Sequence, residues 1–257
     1  MKKKKVALVL SGGAVLGFAH IGVLKVLEKY GVDIDIVVGT SMGGLVAAAY
    51  SVGLSIEEMT EFACKFKGIN FVDLNFDSSG FFSGRGMMRS INKFLPDKKI
   101  EDLDKKFACV ACDILTEEEY IFSSGSIRDA VRSTVSIPGF LTPHKVGKHL
   151  LVDGGIVNNL PDSIAKDMGA DIIISCDVLS KCRLDETPSN LVVAVMAGMN
   201  CLTKVAQKYR PKYSDILLEP DLKGVGQMNF NKKSVLKAIE MGEKETEANI
   251  DKILALL

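Results

Sequence analysis

Two short stretches carry the residue types that acyl-transfer chemistry needs. Ser41 lies in Gly39-Thr40-Ser41-Met42-Gly43, a Gly-x-Ser-x-Gly run between an apolar segment of strand length, 34–38, and a small-residue helical segment, 45–50. A serine on a sharp strand-to-helix turn presents its hydroxyl as a nucleophile. Such a turn brings the positions two before and two after close together, where side chains collide and glycines fit. A helix beginning at Met42 aims backbone N–H groups at the place where an oxyanion forms. The same residues also fit a glycine-rich βα turn holding an incidental serine.

A serine hydroxyl is a poor nucleophile until a neighbouring base takes its proton. The chain has three histidines, His20, His144 and His149, and none follows position 149. An α/β-hydrolase triad runs Ser, then Asp or Glu, then a histidine near the chain end. A triad of Ser41 with Asp113 and His144 or His149 stays open, while His20 reads as an ordinary residue at the start of the first helix. The other candidate base is Asp153, which follows the strand-like 150–152 and precedes Gly154-Gly155. Two glycines let another backbone come close, and a strand-end carboxylate suits chemistry at a sheet edge. Asp-Gly-Gly also reads as a plain turn.

Ser11-Gly12-Gly13-Ala14 follows the first apolar run and opens a helix. Gly12 to Gly17 has the glycine spacing of a P-loop, but Phe18-Ala19 stands where Lys-Ser/Thr is required. A dinucleotide fingerprint needs glycine where this chain has Ala14. What remains is a nest of N–H groups suited to another anion, a transient one included.

The elements that must position these residues follow from apolar runs and their punctuation. Strands are expected over 5–10, 34–38, 106–115, 119–122, 148–152, 171–178 and 214–219. Helices are expected over 15–30, 55–66, 87–95, 126–136, 161–168, 190–207 and 232–257. Ser55-x-x-Glu58 forms a capping box, and Gly31 and Pro96 act as stops. The opening is βαβ, which predicts a parallel sheet with both turns at its C-terminal edge. Residues 67–86 read as irregular and carry Phe71, Phe76, Phe81 and Phe82, either a satellite core or an apolar cover over a groove. No repeat or linker divides the 257 residues, so one α/β domain is expected.

Composition narrows the function classes. Apolar residues are 47% and charged residues 25%, and Lys+Arg and Asp+Glu both number 32. That is a globular composition with no basic field for nucleic acid. No apolar run approaches the ~20 residues that span a bilayer. Lys2-Lys3-Lys4-Lys5 before Val6 to Leu10 imitates a secretory signal, with Gly17-Phe18-Ala19 as a cleavage site, but Ser11-Gly12-Gly13 breaks the run too early. Six cysteines are scattered; Cys109-Val110-Ala111-Cys112 lies in a strand, where its cysteines face opposite ways. Buried free thiols in a reducing compartment are expected, and no zinc or calcium spacing occurs.

Taken together, three blocks resemble the patatin-like phospholipase family, particularly its small bacterial members. Residues 10–24 look like its glycine-rich oxyanion segment, Gly39 to Gly43 its elbow, and 136–140 through Val152-Asp153-Gly154-Gly155-Ile156-Val157-Asn158-Asn159-Leu160-Pro161 the segment carrying its catalytic aspartate. The likeness covers roughly 5–178, with 179–257 completing a single patatin-type three-layer α/β/α domain around a mostly parallel central sheet. It implies a Ser41–Asp153 dyad without histidine, and an oxyanion hole from Gly12, Gly13, Ala14 and Met42. The elbow glycines are Gly39 and Gly43, with no metal and no cofactor. The implied activity is that of a phospholipase A, lysophospholipase or esterase working through an acyl-enzyme. Implied partners are phospholipid, lysophospholipid or another fatty acyl ester, in the cytoplasm with transient membrane-surface contact. A lipid-binding or regulatory protein without catalysis, or an acyltransferase using the same dyad, are the alternatives. Two positions depart from the family: Ala14 stands where a third glycine is usual, and Leu16 where an arginine is usual. Alanine preserves the backbone donors if its φ is negative, whereas losing the arginine removes a positive charge near an oxyanion or acidic headgroup.

Overall fold

The computed structural model describes residues 3–66, 82–183 and 191–257. Phe71, Phe76 and Phe81 therefore lie outside the described residues. The chain opens with β1 (Val6–Leu10), a 3-10 turn (Ala14–Phe18), α1 (Ala19–Lys29), β2 (Ile36–Thr40) and α2 (Met42–Ser51). All ten residues of the two strands are buried, as expected of strands covered on both faces. The first helix, expected as one piece, begins as a tighter 3-10 turn. That turn lays Gly17 against Met42, where a Cβ would stand 2.6 Å from Met42 Cγ.

α3 (Ile56–Lys65) starts at Ser55, whose side chain and that of Glu58 cap each other's backbone reciprocally. α4 (Arg85–Phe94) ends before Pro96, and Phe82 bridges to Leu141 instead of lying free. There follow β3 (Lys106–Asp113), β4 (Glu118–Phe122), α5 (Ile127–Thr134), β5 (His144–Val146) and β6 (His149–Asp153). The three-residue β5 is too short to show a period, and it reaches β6 through Gly147 at φ +59°. The remainder is α6 (Asp162–Asp167), β7 (Ile172–Cys176), α7 (Leu191–Tyr209), β8 (Ile216–Leu218) and α8 (Lys232–Leu254).

The strands form one mixed sheet whose central run, β3-β2-β1-β7-β8, is parallel. Alternation within each strand divides the core. Leu8, Val37, Cys109 and Ile174 face a thick layer built from α1, α2, α3, α5 and α8. Val9, Val38, Val110 and Ile173 face a thin one containing Ile164 and Ala165 of α6. α1 and α8 approach until backbone touches backbone. A Cβ on Gly22 would lie 2.0 Å from Ile239 O, and one on Gly242 2.0 Å from Ala19 O.

One pairing decides where the site forms. β4 lies along one edge of β3, opposite Cys109 to Asp113. The other edge is shared: β2 runs parallel along Lys106 to Val110, and β6 antiparallel along Ala111 to Asp113. The two therefore meet head-on, with Thr40 opposite Val110 and Asp153 opposite Ala111.

Candidate active site

The head-on meeting carries Ser41, the residue after Thr40, to the last residue of β6. Ser41 Oγ donates to Asp153 Oδ2 at 2.5 Å across 112 positions of sequence. Both residues are buried. Ser41 holds φ +55°, a left-handed conformation that a serine adopts only under constraint from its surroundings. Those constraints are visible. The Ser41 N–H donates to Thr134 Oγ1 at 2.8 Å, and that hydroxyl donates to Val110 O at 2.5 Å. A Cβ on Gly39 would sit 2.4 Å from Gly43 O, and one on Gly43 2.2 Å from Leu10 O, so the turn closes only with glycine at both places.

Asp153 is held with equal economy of freedom. Its N–H donates to Ser136 O at 2.9 Å, and its Oδ1 accepts from Gly155 N at 2.8 Å. A Cβ on Gly154 would stand 2.4 Å from Val110 O, which is the close backbone approach that the Asp-Gly-Gly run suggests. Burial pushes the Asp153 carboxyl up to about 6, against the opposing pull of its bonds from Ser41 and Gly155. It is thus a stronger base than an ordinary aspartate, yet largely ionised at neutral pH.

The glycine-rich turn lies alongside. A Cβ on Gly12 would be 3.0 Å from Ser41 Cβ, and one on Gly13 2.5 Å from Val178 Cγ2. Gly12, expected among the oxyanion donors, directs its N–H to Asn159 O at 3.3 Å, because the chain after Asp153 folds back over this turn. The N–H groups of Gly13, Ala14 and Met42 have no acceptor among the described residues. Ala14 has φ +50°, not the negative value that would make alanine indifferent there. A left-handed residue at this step is where glycine carries no Cβ penalty.

The histidines sort differently. His149 Nδ1 does pair with Asp113 Oδ2, at 2.6 Å, but Ser41 Oγ is bonded to Asp153, not to this pair. His144 Nε2 bonds Asp129 at 2.8 Å. His20 is fully buried, its Nε2 2.8 Å from Ser11 O, and burial lowers it to about 4, so it is neutral and pins the carbonyl that starts the glycine turn. The six cysteines are free thiols, with burial raising Cys109 and Cys176 far from thiolate character. Met196 and Met199 are half-buried and belong to neither apolar core cluster.

Three supporting residues carry no sequence signal for their part. Thr134 ties the elbow to β3. Thr40 Oγ1 holds Asn158 O at 2.8 Å, and Asn159 Nδ2 reaches Gly12 O at 3.3 Å. Together they lace the elbow and the turn to the segment that follows Asp153.

The family profile described as patatin-like phospholipase matches residues 8–166. Human patatin-like phospholipase domain-containing protein 6 is 39% identical over 190 residues, which are 71% of this chain and 14% of that protein. Lysophospholipase NTE1 of Phaeosphaeria nodorum is 35% identical over 189 residues, 71% of this chain and 12% of that protein. The chain thus spans about one seventh to one eighth of the length of these relatives. Among solved structures, VipD from Legionella pneumophila superimposes with a TM-score of 0.66 at 14% identity, over 97% of this chain and 67% of that one, which is a likeness of fold.

Proposed function

This chain belongs to the patatin-like phospholipase family, and from that premise we propose that it hydrolyses fatty acyl esters through Ser41 and Asp153. The single observation that carries the reading is the 2.5 Å bond from the buried serine hydroxyl to a buried carboxylate. In the first step Asp153 accepts the Ser41 proton as Oγ attacks the acyl carbonyl carbon. The carbonyl oxygen becomes an oxyanion beside the N–H groups of Gly13, Ala14 and Met42, and Met42 stands at the positive end of α2. The protonated Asp153 returns the proton to the departing alcohol, leaving the acyl group on Ser41. Water then attacks the acyl carbon as Asp153 takes its proton; when the acyl–Oγ bond breaks, Asp153 passes that proton to Ser41 Oγ and the fatty acid leaves.

An aspartate alone is a modest base, so the amide donors must supply much of the acceleration, on the order of 3 kcal/mol each. The substrate class, phospholipid or lysophospholipid, is supported by the family and by what the names of the relatives say of those proteins.

The test pairs a serine-reactive fluorophosphonate with product analysis on phospholipids, lysophospholipids and short-chain esters. Stable labelling that Ser41→Ala abolishes, together with released fatty acid, is the expected result. Absence of labelling by the wild-type chain would identify a binder, and acyl groups recovered on an added alcohol instead of water would identify a transferase.

A further inference from the structure

α7 is turned inside out relative to an ordinary surface helix. Its inward face is polar: Thr203 Oγ1 donates to Gly155 O at 2.9 Å, Asn200 Nδ2 to Gln227 Oε1 at 2.8 Å, and Gln207 Nε2 to Leu160 O at 3.4 Å. Its outward face is apolar. Leu191 (68% exposed), Val195, Leu202 (67%), Val205 and Tyr209 (78%) recur at helical spacing along one side. Water favours the opposite arrangement, and a continuous apolar stripe of this kind marks an interaction surface.

We propose that this face of α7 docks on an anionic lipid surface, bringing the Ser41–Asp153 dyad to the bilayer that holds its substrate. The choice of a lipid as occupant rests in part on the acyl-ester reading above. Three further observations select it. α7 has no acidic residue, and its end carries Lys208, with Lys212 just beyond it; Lys204 and Arg210 are engaged by the protein, bonding Cys182 O and Glu119 Oε2. A basic end on an apolar stripe complements anionic headgroups above acyl chains. Tyr209 ends the stripe beside those cations, where an amphipathic ring suits a membrane–water boundary. Two copies of α7 packed in parallel along the stripe would instead bring lysines together with no carboxylate on the helix to answer them. The helix is seated on the site: Thr203 holds the carbonyl of Gly155, whose N–H holds Asp153 Oδ1 at 2.8 Å. Among the described residues no helix is long and apolar enough to cross a membrane, so α7 would lie in the interface plane.

The test is flotation with phosphatidylcholine vesicles, with and without phosphatidylglycerol, alongside hydrolysis of a water-soluble short-chain ester. The wild-type chain should float with the phosphatidylglycerol vesicles, less so at high salt. The double variant Leu202→Ser/Val205→Ser should lose on the order of tenfold or more in vesicle affinity while hydrolysing the soluble ester at the wild-type rate. Lys208→Glu/Lys212→Glu should abolish the preference for phosphatidylglycerol. Flotation with neither vesicle, or equal flotation of the Leu202/Val205 variant, would overturn the proposal. So would a wild-type dimer, seen by sedimentation, that this variant dissociates, because a second copy would then cover the face. Ser41→Ala should float like the wild type. If the wild-type chain floats, the Leu202/Val205 variant does not, and no ester is hydrolysed, the docking face stands and the hydrolase reading falls.

Discussion

Asp153 holds its carboxyl where burial opposes the charge that the proposed chemistry needs, so stability and that chemistry pull apart. Raised to about 6 in the fold, it binds a proton more tightly folded than unfolded. Its contribution to stability is therefore fully present below the unfolded value of about 4 and is lost as pH rises through about 6. At neutral pH the ionised carboxylate costs on the order of 3 kcal/mol. Asp153→Asn should accordingly raise the denaturation midpoint at pH 7 while removing most turnover; a variant that is inactive and less stable would contradict this account. The acid limb of kcat/KM should fall near pH 6, not near the pH 4 of an ordinary aspartate, in a pH profile taken with an uncharged ester. Thr134 belongs to the same scale. Thr134→Val keeps the shape but leaves the Ser41 N–H and Val110 O without partners, at a cost of about 1–3 kcal/mol. With the strained elbow less constrained, kcat should drop about tenfold to a hundredfold, measurable beside a KM that changes little. Ser41 and Asp153 are legible in the sequence because glycine spacing announces a sharp turn. Thr134 is not, since a threonine in the last turn of a helix looks like any other. The availability of Gly13 and not Gly12 as a donor is equally hidden, because it depends on where the Asn159 carbonyl lands.

At the scale of the elements, most strands and helices follow from apolar runs bounded by Gly and Pro, with ends differing by a few residues. The two differences of substance have local causes. The 3-10 turn before α1 exists to seat Gly17 under Met42, and β5 is three residues long and half-exposed. The contact between α1 and α8 is invisible in either helix alone, since a glycine inside a helical pattern ordinarily signals only a weaker helix. Here Gly22 and Gly242 each face a carbonyl of the other helix at a distance that no Cβ tolerates. Gly242→Ala should destabilise the fold by about 3 kcal/mol or more, since backbone cannot yield as a side-chain tip can. Chemical denaturation would register it, and an unchanged midpoint would mean the helices are not packed this closely.

At the scale of the whole molecule, the parallel core was readable from the opening βαβ, whose buried strands show no alternation. The mixed end of the sheet was not. β6 lies antiparallel on the same edge of β3 that β2 occupies, and such register is set by pairing between distant segments. A strand-end aspartate could be expected near the serine, but not by this route. The lopsided layers follow from it: helices crowd one face, while α6 and the chain after Asp153 cover the other thinly. That thin side leaves α7 seated through polar contacts.

The head-on strands make β3 a ruler. The gap between Ser41 and Asp153 is fixed by one peptide unit, Val110 to Ala111, and not by the long stretch of chain that connects them. Evolution or an engineer can therefore lengthen, shorten or reopen the chain at the exposed turn around Gly147 with the chemistry intact. One extra residue inside β3 would turn the carboxylate to the opposite face of the sheet and silence it.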